Sequence, residues 1–252
     1  MSSRRPAHPV HVLWAVPRAT STAFEWMVRN RGDLTCFHEP FCQAWYRGDD
    51  ARWPRLDDDA PRSPGMTFAT QLEEILDAAE TGPVFVKDFP TFVTHLWSPD
   101  DDGFLDLFNH SFLTRDPAKV LVSAHRQWGE WFHPDEIGFD HQRAMFDHLH
   151  RHRGTPPPLI DSDDLLTDPA RVVAAWCRAV GLPYLEEALT WDAGDRQEVG
   201  WFGGGWHESL KGSTGLRPQP TSSADLSGQP DWLLEMHDAG RPDYDRLQAF
   251  KL

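Results

Sequence analysis

A chain of 252 residues that is 40% hydrophobic and 25% charged has ordinary soluble composition and enough length to bury a core without disulfides, which excludes wholesale disorder and fibrous architectures. Twenty-four Lys and Arg against 39 Asp and Glu leave a net charge of −15 with histidine neutral, so the surface as a whole disfavours nucleic acid and acidic membrane faces. No apolar run approaches the roughly 18–20 residues of a membrane span, and the apolar stretch after Arg5 is too short for a secretory signal, so a cytoplasmic location is expected.

In chain order, Val10 to Val16 (VHVLWAV) is a short apolar run that stops at Pro17, as a buried strand does. Ala23, Phe24, Met27 and Val28 then share one helical face, and Gly32 is placed to end that helix. Leu34 to Phe41 (LTCFHEPF) has the composition of a second strand ending in a polar turn, and Arg47 to Pro64, rich in Asp, Arg and Pro, that of an exposed loop. Cys36 and Cys42 lie near His38, but no further ligand completes a zinc spacing. With Cys177 they make three thiols and no CxxC, so reduced cysteines and no metal are expected.

Phe68, Leu72, Ile75, Leu76 and Ala79 follow helix spacing up to Thr81-Gly82-Pro83, and Val84-Phe85-Val86 is a strand entering Lys87-Asp88-Phe89-Pro90. Phe112-Leu113 leads into Thr114-Arg115-Asp116-Pro117, where Asp116 suits an N-cap and Pro117 the first helical position. Phe139 to Arg153 predicts another helix, Leu159-Ile160 a strand, and Thr167-Asp168-Pro169 a helix closed by Gly181. From Trp201 the chain turns to Gly-, Ser- and Pro-rich loop before a short terminal helix. Strand and helix alternate, which predicts an α/β fold with a central, mainly parallel sheet flanked by helices. One domain is expected over 1–252, with its α/β core at 10–183 and a C-terminal loop and helix segment at 201–252.

Chemistry concentrates where the first strand meets the first helix, at Pro17-Arg18-Ala19-Thr20-Ser21-Thr22-Ala23. Helix N-termini present unpaired N–H groups and a partial positive charge, so a loop with one guanidinium and three hydroxyls there suits a phosphate or a sulfate. The same hydroxyls would serve an ordinary capped helix, and the GxxxxGK[ST] pattern is absent. The second element is Phe112 to Ser123 (FLTRDPAKVLVS), which places Arg115 at a strand end and Ser123 eight residues on, about two turns along the next helix.

Taken together these elements resemble the sulfotransferases that use 3′-phosphoadenosine-5′-phosphosulfate (PAPS). PRATSTA is similar to their 5′-phosphosulfate loop and RDPAKVLVS to their 3′-phosphate element, and Leu159 to Pro183 resembles the acidic strand end, DP-started helix and GLP ending of the family. A bacterial and plant subgroup with PRSxSTAF followed by HEPF is closer still, matched here by His38-Glu39-Pro40-Phe41. The resemblance implies a three-layer, P-loop-like fold. It also implies that Arg18, Ala19, Thr20, Ser21 and Thr22 hold the 5′-phosphosulfate, Arg115 and Ser123 the 3′-phosphate, and Lys211-Gly212 part of a late loop over the nucleotide. Leu210 replaces the arginine that often precedes that pair, and the phosphosulfate loop lacks its glycine, since Ala19 and Thr20 stand where Ser-Gly is common.

Lys87 matches a lysine that many members place after this strand, where it would neutralise the bridging oxygen. Phe89 occupies the place of the histidine base in KxH, but other branches of the family use a glutamate after the second strand, so the resemblance implies that Glu39, or His38, takes the proton while Lys87 faces the donor. His95 is expected to be structural, and Trp45, Trp53 and Trp97 are candidates for an apolar acceptor pocket. The expected activity is sulfuryl transfer from PAPS to a hydroxyl or amine of a small molecule, without metal, nucleic acid or membrane partners. Two alternatives stay open: a small-molecule kinase or nucleotide hydrolase, and a PAPS-binding protein without catalysis.

Overall fold

The run after Pro9 becomes the central strand β1 (Val10–Ala15), buried along all six residues because both faces of the sheet are covered. The structure is a computed structural model and describes residues 5–52, 62–129, 133–200, 208–220 and 223–252. β1 pairs in parallel with β3 (Val84–Asp88) on one side and β4 (Asn109–Thr114) on the other. β2 (Thr35–His38) lies outside β3 and β5 (Leu159–Asp161) outside β4, so the sheet runs β2-β3-β1-β4-β5. After β2 and β3 the chain crosses β1 to lay down β4 and β5. Ligands of such sheets bind at this reversal of strand order, beyond the carboxyl ends.

Period-two alternation divides the core into two layers around the sheet. Leu13 and Ala15 pack with α1 (Ser21–Arg31), α4 (Pro117–Trp128) and α7 (Pro169–Val180). Val10, Val12 and Trp14 pack with α3 (Phe68–Ala78) and α5 (Phe139–Arg153) on the opposite face. Local signals account for many of the boundaries: Asp116 accepts the Ala118 amide at 2.8 Å and Asp168 that of Arg171 at 3.2 Å, each ahead of a proline, and Gly32 and Gly181 end α1 and α7 with positive φ.

Three expectations need correction. The strand expected over Leu34 to Phe41 stops at His38, because Glu39 turns into the left-handed region (φ 51°) and Pro40 starts a helix, α2 (Pro40–Arg47). Arg47 therefore closes α2 rather than opening a loop. The terminal helix is long, α9 (Asp231–Gln248), and it is tied to the body by Leu233 on one core and Leu247 on the other. Two short helices, α6 (Ser162–Thr167) and α8 (Glu208–Lys211), also fall where strand end and loop were expected. Among the described residues no helix is long and apolar enough to cross a membrane.

Candidate functional site

The loop that leaves β1 is held in an unusual shape. Arg18 (φ 62°) and Thr20 (φ 70°) both occupy the left-handed region, which costs a non-glycine residue on the order of 1–3 kcal/mol. Thr20 is the N-cap of α1, yet no side chain caps that helix; instead the Thr20 and Ser162 hydroxyls share a hydrogen bond of 2.8 Å, reaching the start of α6. The missing glycine is explained here: its left-handed geometry survives at Thr20, and Ser162 supplies a contact that a glycine could not make.

Arg18 and the β4–α4 element meet directly. Arg18 Nε donates to Ser123 Oγ at 3.1 Å, and Arg115 Nη1 donates to the Arg18 carbonyl at 2.7 Å. Burial, and for Arg18 the neighbouring Arg115, lowers the pKa of both guanidinium groups; Asp163, Asp116 and Asp161 partly offset this at Arg115. Thr20, Ser21, Thr22, Arg18, Arg115 and Ser123 line one cleft of about 290 Å³. A second hollow of about 550 Å³ shares Arg115 and Ser123 with it and adds Lys119 and Arg126. Pockets for small ligands are typically about 300–1,000 Å³. Ala19 lies in the core with no exposed surface and does not line the cleft.

A second constellation forms where β2 and β3 end, with His38 opposite Lys87 in the register. Lys87 Nζ, 1% exposed, pairs with the Glu39 carboxylate, and His38 Nε2 lies 3.7 Å from the same oxygen. The sequence expectation had turned Lys87 to the donor and Glu39 to the acceptor; here they hold each other. His38 Nδ1 is 2.5 Å from Glu25 Oε2, while Arg29 Nε donates to Glu25 Oε1 at 2.8 Å. The Glu25 carboxyl is fully buried, which alone would raise its pKa, but His38, Lys87 and Arg29 together hold it below the ordinary value. An ionised Glu25 only accepts, so it fixes the proton of His38 on Nδ1.

Other candidates lie elsewhere. Lys211 Nζ sits 3.5 Å from Asp195, and Leu210 and Ser213, on either side of Lys211-Gly212, line the cleft. His95 packs against the rings of Trp45 and Phe68. Trp45 also packs at a tilt against Phe92, and Trp97 lies against His148. Trp53 and Gly203-Gly204-Gly205 lie outside the described residues. Sequence reasoning missed Glu25, Asp88 and Ser162. A buried glutamate flanked by Phe24 and Trp26 was the available signal for the first; the other two act through contacts that no local pattern announces.

A family model described as "Sulfotransferase domain" matches residues 10–228, and the chain belongs to that family. Among solved structures it is similar to the sulfotransferase domain from the Synechococcus PCC 7002 olefin synthase, with a TM-score of 0.57 at 15% identity over 94% of this chain and 96% of that one, a likeness of fold. Two Arabidopsis thaliana proteins named branched-chain-amino-acid aminotransferase-like protein 2 and 1 are 26% and 31% identical over 81% of this chain. The chain spans only 35% and 36% of those relatives' lengths.

Proposed function

We infer that the protein transfers a sulfuryl group from PAPS to a hydroxyl or amine of a small-molecule acceptor. The observation that carries this is the junction of two anion-binding elements: the uncapped start of α1 and the Arg115–Ser123 face of α4 are joined through Arg18 into one cleft. A donor with phosphate groups at both its 3′ and 5′ positions needs such a pair, and charge-assisted hydrogen bonds to them contribute roughly 1.5–3 kcal/mol each.

In the transfer, the acceptor oxygen forms a bond to sulfur as the bond from sulfur to the bridging oxygen breaks, and the acceptor proton passes to Glu39. Arg18 and the amides of Ser21 to Ala23 stabilise the charge that collects on the leaving phosphate. The sulfuryl group carries less negative charge than a phosphoryl group, so side-chain cations and amides suffice without a divalent ion. Glu39 reaches the site paired with Lys87, so taking up that proton loosens this ion pair.

Calorimetry with adenosine 3′,5′-bisphosphate and with AMP tests the reading. The bisphosphate is expected to bind at least about tenfold more tightly, from the 3′-phosphate contacts. Equal affinities remove the nucleotide assignment, and tight binding of ATP only with Mg²⁺ moves it to a kinase. Turnover with PAPS is expected to persist in excess EDTA.

A further inference from the structure

Asp88 ends β3, one residue beyond Lys87, and its carboxylate has no exposed surface. Its contacts go to the start of α2: Oδ2 accepts from the amides of Phe41 at 2.7 Å and Cys42 at 3.3 Å, and Oδ1 from the amide of Phe89 at 2.8 Å. Phe41 and Cys42 are the second and third residues of α2, whose amides an N-cap side chain ordinarily receives. Glu39 is the N-cap, but it makes no such bond and turns its carboxylate to Lys87.

Successive strand residues point to opposite faces, so Lys87 and Asp88 reach this corner from two sides. Lys87 holds Glu39 twice, by its ammonium on the carboxylate and by its carbonyl on the Glu39 amide at 2.8 Å. Asp88 holds the helix that follows. We propose that Asp88 is a positioning residue for the transfer reaction: by capping α2 from the neighbouring strand in place of Glu39, it frees the Glu39 carboxylate from the helix end and fixes its direction at the site.

Without Asp88 the amides of Phe41 and Cys42 lose their acceptor, and the nearest replacement is the carboxylate of the N-cap residue itself. Glu39 is then drawn back to its own helix. Burial pushes the Asp88 carboxyl up to about 8, against the amides of Phe89 and Phe41, with Glu39 adding to the rise and Lys87 opposing it. Both oxygens nonetheless act only as acceptors, the pattern of the ionised form. A neutral side chain of the same shape would avoid the burial penalty; the carboxylate supplies the cap.

The proposal rests on reading Glu39 as the base, and a double-mutant cycle separates the two. Turnover is followed as release of adenosine 3′,5′-bisphosphate from PAPS with 2-naphthol as probe acceptor, alongside bisphosphate affinity and amide hydrogen exchange. Asp88→Ala, which removes both acceptor oxygens, is expected to lower kcat about ten- to a hundredfold, as a displaced base does. It should leave the bisphosphate Kd within about twofold, and in a Glu39→Gln background it should cost less than about twofold. The amides of Phe41 and Cys42 should exchange at least about tenfold faster. Equal losses in both backgrounds, or nucleotide affinity falling together with kcat, overturn the proposal by making Asp88 merely structural. Amides that stay protected in Asp88→Ala overturn the cap alone, whereas undiminished turnover in Glu39→Gln removes the base reading and the positioning role with it. Should Asp88→Ala fail to fold, Asp88→Asn, which keeps one acceptor oxygen, runs the same cycle with the same pattern expected at smaller size.

Discussion

The corners after β1 and after β2 are built alike and used differently. Each ends in a non-glycine residue with positive φ, Thr20 at 70° and Glu39 at 51°, which stands as N-cap of the next helix and caps it with no side chain. In each the side chain leaves the helix for a partner elsewhere, Ser162 for Thr20 and Lys87 for Glu39. The difference lies in the amides left behind. Those at the start of α1 border the cleft beside Arg18, while those of α2 are taken by Asp88. A helix start already filled by a carboxylate repels a second anion, so the proposed reading puts the donor at α1 and a base at the start of α2.

The largest effect that separates the corners should come from Glu39→Gln, which keeps the shape and removes the base. We expect kcat to fall ~10²- to 10⁴-fold with bisphosphate affinity unchanged, read by steady-state kinetics and calorimetry. A matching loss of affinity would place Glu39 on the donor and erase the distinction between the corners.

Acid loosens the frame beneath both. His11, 3% exposed in β1, is lowered to about 4, mainly by burial and then by Arg31. His110 is lowered to about 3 by burial, with Arg153 adding to it and its bond to the Leu105 carbonyl opposing it. Below pH 6.5 the unfolded chain takes up protons at both sites that the folded chain refuses, so stability present above pH 6.5 drains away as pH falls toward 4. His11 alone accounts for about 3 kcal/mol by pH 4. Denaturant titrations of the wild type and His11→Leu should diverge in slope within this window, and parallel curves would count against burial as the cause.

Arg115→Ala acts on the first corner only. Bisphosphate affinity should fall roughly ten- to a hundredfold while AMP affinity falls less, since the lost contacts are those to the 3′-phosphate. The smallest change is expected from Thr20→Gly, which relieves ~1–2 kcal/mol of left-handed strain and gives up a hydrogen bond of about 1 kcal/mol. Its Tm should lie close to that of the wild type, whereas Thr20→Val, which keeps the strain without the bond, should melt lower.

The frame was legible in the sequence where signals are local. Asp116-Pro117 and Asp168-Pro169 announce α4 and α7, and the β-branched run at Val10 announces a strand buried on both faces. The extent of β2 was not, because apolar composition continues to Phe41 and only the backbone turn at Glu39 stops the strand. Arg18, Thr20, Arg115 and Ser123 could be picked out as polar residues at strand and helix junctions. Their partners could not: Ser162 meets Thr20 across 142 residues and Asp88 meets Phe41 across 47, and spacing along the chain carries no trace of either.

Those separations also order events in time. The loop after β1 is separated from each of its anchors by a long stretch of chain: Arg115 on the Arg18 carbonyl, Ser123 under the Arg18 guanidinium, and Ser162 on Thr20. Contacts between residues so far apart form after the costly long-range pairings are in place, so this cleft gains its final shape late in folding. A ligand that grips this cleft therefore binds only the completed sheet, and its stabilising effect on unfolding reports that β4 and β5 have docked.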